Sequence, residues 1–153
     1  MKRKGYRLMK NLSPNTYIDA ELAEHLMGWS IVQAGEEEWL EKAIERGARF
    51  PVFAIWPEGG TMVIVDGINP TNTRDFRPTA DSGHAIEVLE MLKTKQYKVV
   101  LTGEDWHDGG EWKVEIFHPL HAAQKEPLAV ETDPSNLPLA ISKAALKAVR
   151  MAL

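Results

Sequence analysis

The sequence predicts an α+β fold, helices combined with a mainly antiparallel sheet. Three observations carry that expectation. Apolar residues recur at three- and four-residue spacing in four separate segments, and runs of β-branched and aromatic residues come in pairs. The paired runs are joined by short connections containing glycine rather than by crossovers, which is the signature of hairpins.

In chain order, Tyr6 to Met9 reads as a short edge strand in a basic start that carries Lys2, Arg3, Lys4, Arg7 and Lys10 and no acid. The first helix is expected from Thr16, with Thr16 as cap and Asp19 three residues on. Its stripe is Ile18, Leu22 and Leu26, and Gly28 takes the left-handed position that ends it. His25 reads as a packing or surface residue. Ser30 to Gln33 is a strand candidate. A second helix spans Glu36 to Arg46, with three leading glutamates complementing the helix dipole, Trp39, Leu40, Ala43 and Ile44 on one face, and Gly47 as its stop.

Pro51 to Trp56 and Thr61 to Asp66 flank Pro57-Glu58-Gly59-Gly60 and form a hairpin. A polar, proline-rich loop from Asn69 to Thr79 leads to a third helix capped by Asp81, with Ala85, Val88, Leu89 and Leu92 as its buried stripe. Tyr97 to Thr102 and Glu111 to Phe117 pair around a tip at Asp105 to Gly110, and Leu128 to Val130 is a short strand. The closing helix begins at Asn136 or Ser135 as cap, places Pro138 in its first turn, and turns Leu137, Ile141, Ala144, Ala145 and Ala148 to one side. A face built mostly of alanine lets the helix lie close to a flat sheet.

With 153 residues, 44% hydrophobic and 26% charged, the chain fits a single domain, 1–153, with a basic N-terminal segment at 1–14 and a core at 15–153. The net charge of −4 argues against a nucleic-acid partner. The absence of cysteine removes thiolate catalysis and Cys-based zinc, and no run of about 20 apolar residues suggests a membrane span. The expected location is the cytoplasm.

Three separated stretches resemble a family of small bacteriophage and prophage proteins described as the phage ABA sandwich domain. They are Ile18 to Trp29 with its Leu-Met-Gly-Trp ending, Phe76-Arg77-Pro78-Thr79-Ala80-Asp81 leading into a helix, and Leu137-Pro138-Leu139-Ala140-Ile141-Ser142-Lys143-Ala144-Ala145-Leu146. The resemblance covers roughly Thr16 to Val149 on an element-level reading. It implies a three-layer α/β/α sandwich around a central, mainly antiparallel sheet, and a setting in the cytoplasm of a bacterial host. It implies no activity. The segment Glu36 to Arg49 departs from the family pattern, being longer than expected there.

No nucleophile motif or phosphate-cradling glycine loop is present, so no enzymatic activity, cofactor or metal is expected. The leading expectation is an accessory protein that acts by binding, sequestering a nucleotide-like immune signal between protomers of a homo-oligomer. Trp106, His107 and Trp112 on the hairpin tip offer stacking faces, and Arg74 and Arg77 offer charge-assisted bonds to phosphate near a helix N-terminus. One alternative is a module that blocks a host protein through the acidic helix Glu36 to Arg46. A third is a metal-dependent hydrolase using His107, His118 and His121.

Overall fold

Helices and strands alternate through a computed structural model that describes residues 12–103, 112–118, 127–133 and 136–152. The chain divides between Phe76 and Arg77 into two compact units. The fold is α+β, as the hydrophobic patterning indicates. Its described strands are shared between two sheets, one mixed and one antiparallel.

The first unit opens with α1, Pro14–His25. Its cap is Ser13, whose hydroxyl accepts from the Thr16 N–H at 3.1 Å, and not Thr16 as the spacing suggested. Pro14 explains the shift. Its fixed φ and missing N–H suit the first helical position, so the cap lies three residues earlier and Asp19 falls in mid-helix. Leu22 and Leu26 are buried on the expected stripe. Gly28, at φ +78°, turns the chain so that the Trp29 N–H donates to the Ala23 carbonyl at 2.9 Å.

Strand β1, Ser30–Gln33, runs parallel to β2, Val52–Ile55, with α2, Trp39–Glu45, in the crossover between them. This sheet is therefore mixed, with one parallel pair beside antiparallel ones. The pairing was not legible because β1 and β2 are joined through a helix and their contacts are not local. Helix α2 is shorter than expected. Glu36 to Glu38 form a turn in front of it, and Glu38 sits at φ 57°, so only Glu41 is acidic within the first turn. Gly47 ends α2 with a pair of reverse bonds, Gly47 N–H to Ile44 O and Ala48 N–H to Ala43 O, both 3.0 Å.

All four residues of β2 are buried, which makes it the core of a four-stranded sheet with β1 at one edge. Strand β3, Thr61–Ile64, joins it through the expected hairpin. The two-residue β4, Thr73–Arg74, lies inside the segment read as loop. Phe76 is buried against Phe53 and Trp29, both edge-on, with centroids 6.5 and 4.8 Å away.

In the second unit α3, Ser82–Thr94, is capped as expected by Asp81, whose Oδ1 accepts from the His84 N–H at 3.0 Å. Strands β5, Lys98–Gly103, β6, Trp112–Phe117, and β7, Ala129–Asp133, form an antiparallel sheet in that order. Helix α4, Leu137–Ala152, begins at Asn136, whose Oδ1 accepts from the Leu139 N–H at 3.0 Å. Its alanine face, Ala140, Ala144, Ala145 and Ala148, is buried, and α4 packs on β6, β7 and α3. Small side chains there allow the close approach to a sheet that the sequence suggested. The strand expected at Tyr6 to Met9 lies outside the described residues.

Candidate ligand-binding cleft

A cleft of about 640 Å³ opens in the first unit, walled by the end of α1, strand β1 and helix α2. Helical periodicity builds one wall. Trp39, Lys42, Ala43 and Arg46 stand at i, i+3, i+4 and i+7 and line the cleft together. Ala43 is buried on this face while Lys42 and Arg46 remain exposed, with the Lys42 ammonium 3.9 Å from a Glu36 carboxylate oxygen. Ile44, expected on the buried face, is 46% exposed.

The opposite side comes from the turn after α1. Trp29 and Glu24 line the cleft, and the half-buried residues Ser30, Ile31 and Val32 of the edge strand β1 complete it. Both tryptophans are held in place. Trp29 lies edge-on to Phe76 with the Arg74 guanidinium 5.8 Å from its ring centroid, a cation–π contact, and Trp39 lies edge-on to Trp56 at 5.6 Å. The turn from β1 into α2 requires glycine at position 35. Its φ is +113°, and a side chain there would meet Pro57 Cδ at 2.8 Å.

Beside this cleft, three consecutive-turn residues of α1 converge. His25 Nε2 lies 2.9 Å from Glu21 Oε2 and 2.9 Å from Glu24 Oε1. Glu21 is buried, and Glu24 and His25 are partly exposed. The histidine read as solitary in sequence is thus flanked by two carboxylates. The legible signal is Glu21, which stands three residues before Glu24 and four before His25 and so neighbours both on the helix surface.

The described residues expected to bind ligand belong to both units. Arg74 belongs to the first unit, on β4, and reaches the cleft indirectly through Trp29. Arg77 precedes α3 in the second unit, where its backbone N–H donates to His84 Nδ1 at 2.9 Å. The N-terminus of α3 is already taken by the Asp81 carboxylate, which the His84 N–H, chiefly, holds below the ordinary aspartate range. That negative charge disfavours the phosphate placement considered for Arg77. Trp112 opens β6 and packs across Gly103 of β5, with the nearest ring carbon 3.1 Å from where a side chain would begin. Trp106 and His107 lie outside the described residues. So does His121, while His118 stands edge-on to Tyr97 at 6.3 Å.

Comparison of the chain with family models, with curated proteins and with solved structures returns no match. Among the described residues, no helix is long and apolar enough to cross a membrane.

The cleft can therefore be read from its chemistry alone. Two tryptophan rings offer faces or edges to a planar ligand, and Lys42 and Arg46 offer up to eight N–H donors in all to an anion. Glu24 and Glu36 add acceptors at the rim for ribose-type hydroxyls. A volume of about 640 Å³ is within the range of small-molecule sites.

Proposed function

We propose that this protein acts by binding and that its first unit holds a nucleotide-like anion in the cleft between α1, β1 and α2. The observation that carries this reading is the α2 stripe. Trp39, Lys42 and Arg46 share one face and line the same cleft as Trp29, so stacking surface and positive charge meet in one place. A base or similar ring lies against the tryptophans, and phosphate oxygens accept from Arg46 and Lys42.

Nothing in the cleft residues calls for turnover, and occupancy of the ligand is the proposed activity. The three stretches that resemble phage proteins suggest the setting: a bacterial host cytoplasm in which removing a signalling nucleotide disarms a defence. A second reading rests on the outer side of the same segment. Glu37, Glu41 and Glu45 are exposed beside the exposed apolar Ile44, a surface that suits a basic host protein.

Thermal-shift screening with mono-, di- and cyclic nucleotides and ADP-ribose tests the leading reading. A ligand at 100 times its Kd stabilises the native state by about 2.7 kcal/mol. That corresponds to a rise of roughly 5–10 °C for a chain of this size. Arg46→Ala and Trp39→Ala should abolish most of the rise. If no nucleotide raises the melting temperature of the wild-type protein, the reading is wrong.

A further inference from the structure

We infer that Glu21, Glu24 and His25 form a binding site for a divalent transition-metal ion on α1. Each contributes one ligand atom, and the three atoms lie within 4.8 Å of one another. Two carboxylate oxygens, Glu21 Oε2 and Glu24 Oε1, stand at the same 2.9 Å from a single nitrogen, His25 Nε2. A neutral imidazole carries one N–H there and can point it along one line only. A cation takes a lone pair from all three atoms at once. Ligand atoms held about 2.0–2.2 Å from one zinc ion stand roughly 3.5 Å apart in a tetrahedral shell, so small side-chain adjustments bring the two 2.9 Å nitrogen–oxygen pairs to that spacing.

The helix supplies this arrangement directly, because residues at i, i+3 and i+4 share a face. Burial pre-organises it. The Glu21 side chain is 1% exposed, so the surrounding packing holds its carboxylate in place. The Glu24 and His25 side chains, at 14% and 25%, leave an entry path from solvent. One imidazole nitrogen with two carboxylate oxygens favours Zn²⁺ or Mn²⁺ over Mg²⁺ and Ca²⁺, which prefer all-oxygen shells.

Three protein ligands leave at least one coordination position open. Glu24 also lines the cleft, so that position is within reach of whatever the cleft holds. An anionic ligand oxygen or a water completes the shell. The cation site does not depend on the nucleotide reading, and its test uses metal alone.

The protein, stripped with chelator, is titrated with Zn²⁺ by calorimetry. The expected result is one equivalent bound by the wild type. His25→Gln and Glu24→Gln should each bind at least ~100-fold more weakly, beyond the usual cost of losing only an outer hydrogen-bond partner of a ligand. Circular-dichroism melting shows whether the variants remain folded, and both altered side chains are partly exposed, which favours that. Co²⁺ provides an independent readout, since visible absorption bands from a site containing His25 vanish in His25→Gln. Failure of the wild type to bind one equivalent of Zn²⁺ would overturn the site. So would equal binding by His25→Gln and wild type, or persistence of the Nε2 proton of His25 by NMR at saturating Zn²⁺, because the triad would then be an imidazolium bridging two carboxylates.

Discussion

Replacing Phe76 with alanine should destabilise the first unit more than any conservative change in the cleft. The ring is 1% exposed and lies edge-on to Trp29 and Phe53. Loss of a buried phenyl group with incomplete collapse of the cavity costs about 3–5 kcal/mol. Phe76→Leu keeps most of the apolar volume and forfeits the two aromatic pairs, each about 0.5–1.5 kcal/mol, for a total of about 1–3 kcal/mol. Urea unfolding followed by tryptophan emission measures both. With a slope of about 2 kcal/mol per molar, the midpoint should fall by roughly 1.5–2.5 M for Phe76→Ala and by about 0.5–1.5 M for Phe76→Leu. Trp29 emission in the native state should also shift to the red in Phe76→Ala, because the indole loses its buried neighbour. Equal midpoints for wild type and Phe76→Ala would refute the placement of this ring in the core. So would a Phe76→Leu variant as damaged as Phe76→Ala, since the aromatic pairing alone would then outweigh the volume.

Other consequences follow from single side chains. Ser142 sits among the buried alanines of α4 with its hydroxyl making no hydrogen bond among the described residues. Ser142→Ala should raise stability by about 0.5–1.5 kcal/mol, combining relief of a buried hydroxyl with better helix propensity. A fall in melting temperature would show that the hydroxyl has a partner. Asp81 titrates below the usual aspartate value of 3.8 in the folded protein, chiefly because the His84 N–H bonds its charged form. A group with a lowered folded pKa stabilises above its unfolded value and loses that contribution as the pH falls through the folded one. Acid titration of stability should therefore be shallower below about pH 4 in Asp81→Asn, which can still cap α3 but does not ionise. Parallel acid curves for the two proteins would contradict the cap's role as a titrating group.

Local chemistry made most of the fold legible, and non-local pairing accounts for what was missed. The Asn136 cap, the early Pro138 and the alanine stripe are all properties of adjacent turns, and α4 follows from them. Asp81 and α3 were legible for the same reason. At α1 two caps competed, Ser13 and Thr16, and the proline after Ser13 decided between them. Strand β4 has two residues and no pattern to read, and it exists because β3 offers it an edge. The parallel partnership of β1 with β2 depends on where the crossover through α2 lands, which no local spacing specifies.

The cleft was hidden for a different reason. Trp39 was assigned to a core-facing stripe and the glutamates drew attention to the acidic side of the same helix. Lys42 and Arg46, three and seven residues after Trp39, were the available sign of a ligand-facing side. On α1, Glu21 and Glu24 fall at helical spacing before and beside His25, and reading the histidine alone concealed them. The tip tryptophans and the arginines were selected for their chemistry without a fold to place them. Arg74 belongs to the unit that holds the cleft and contacts its Trp29.

The most direct test of the binding account is NMR mapping of a nucleotide titration on the backbone amides and tryptophan indoles. Binding in the cleft predicts saturable shifts at the Trp29 and Trp39 indoles and across Lys42 to Ala48, removed by Arg46→Ala. Shifts centred on Arg77 and Trp112, or no saturable shift with any nucleotide, would contradict it.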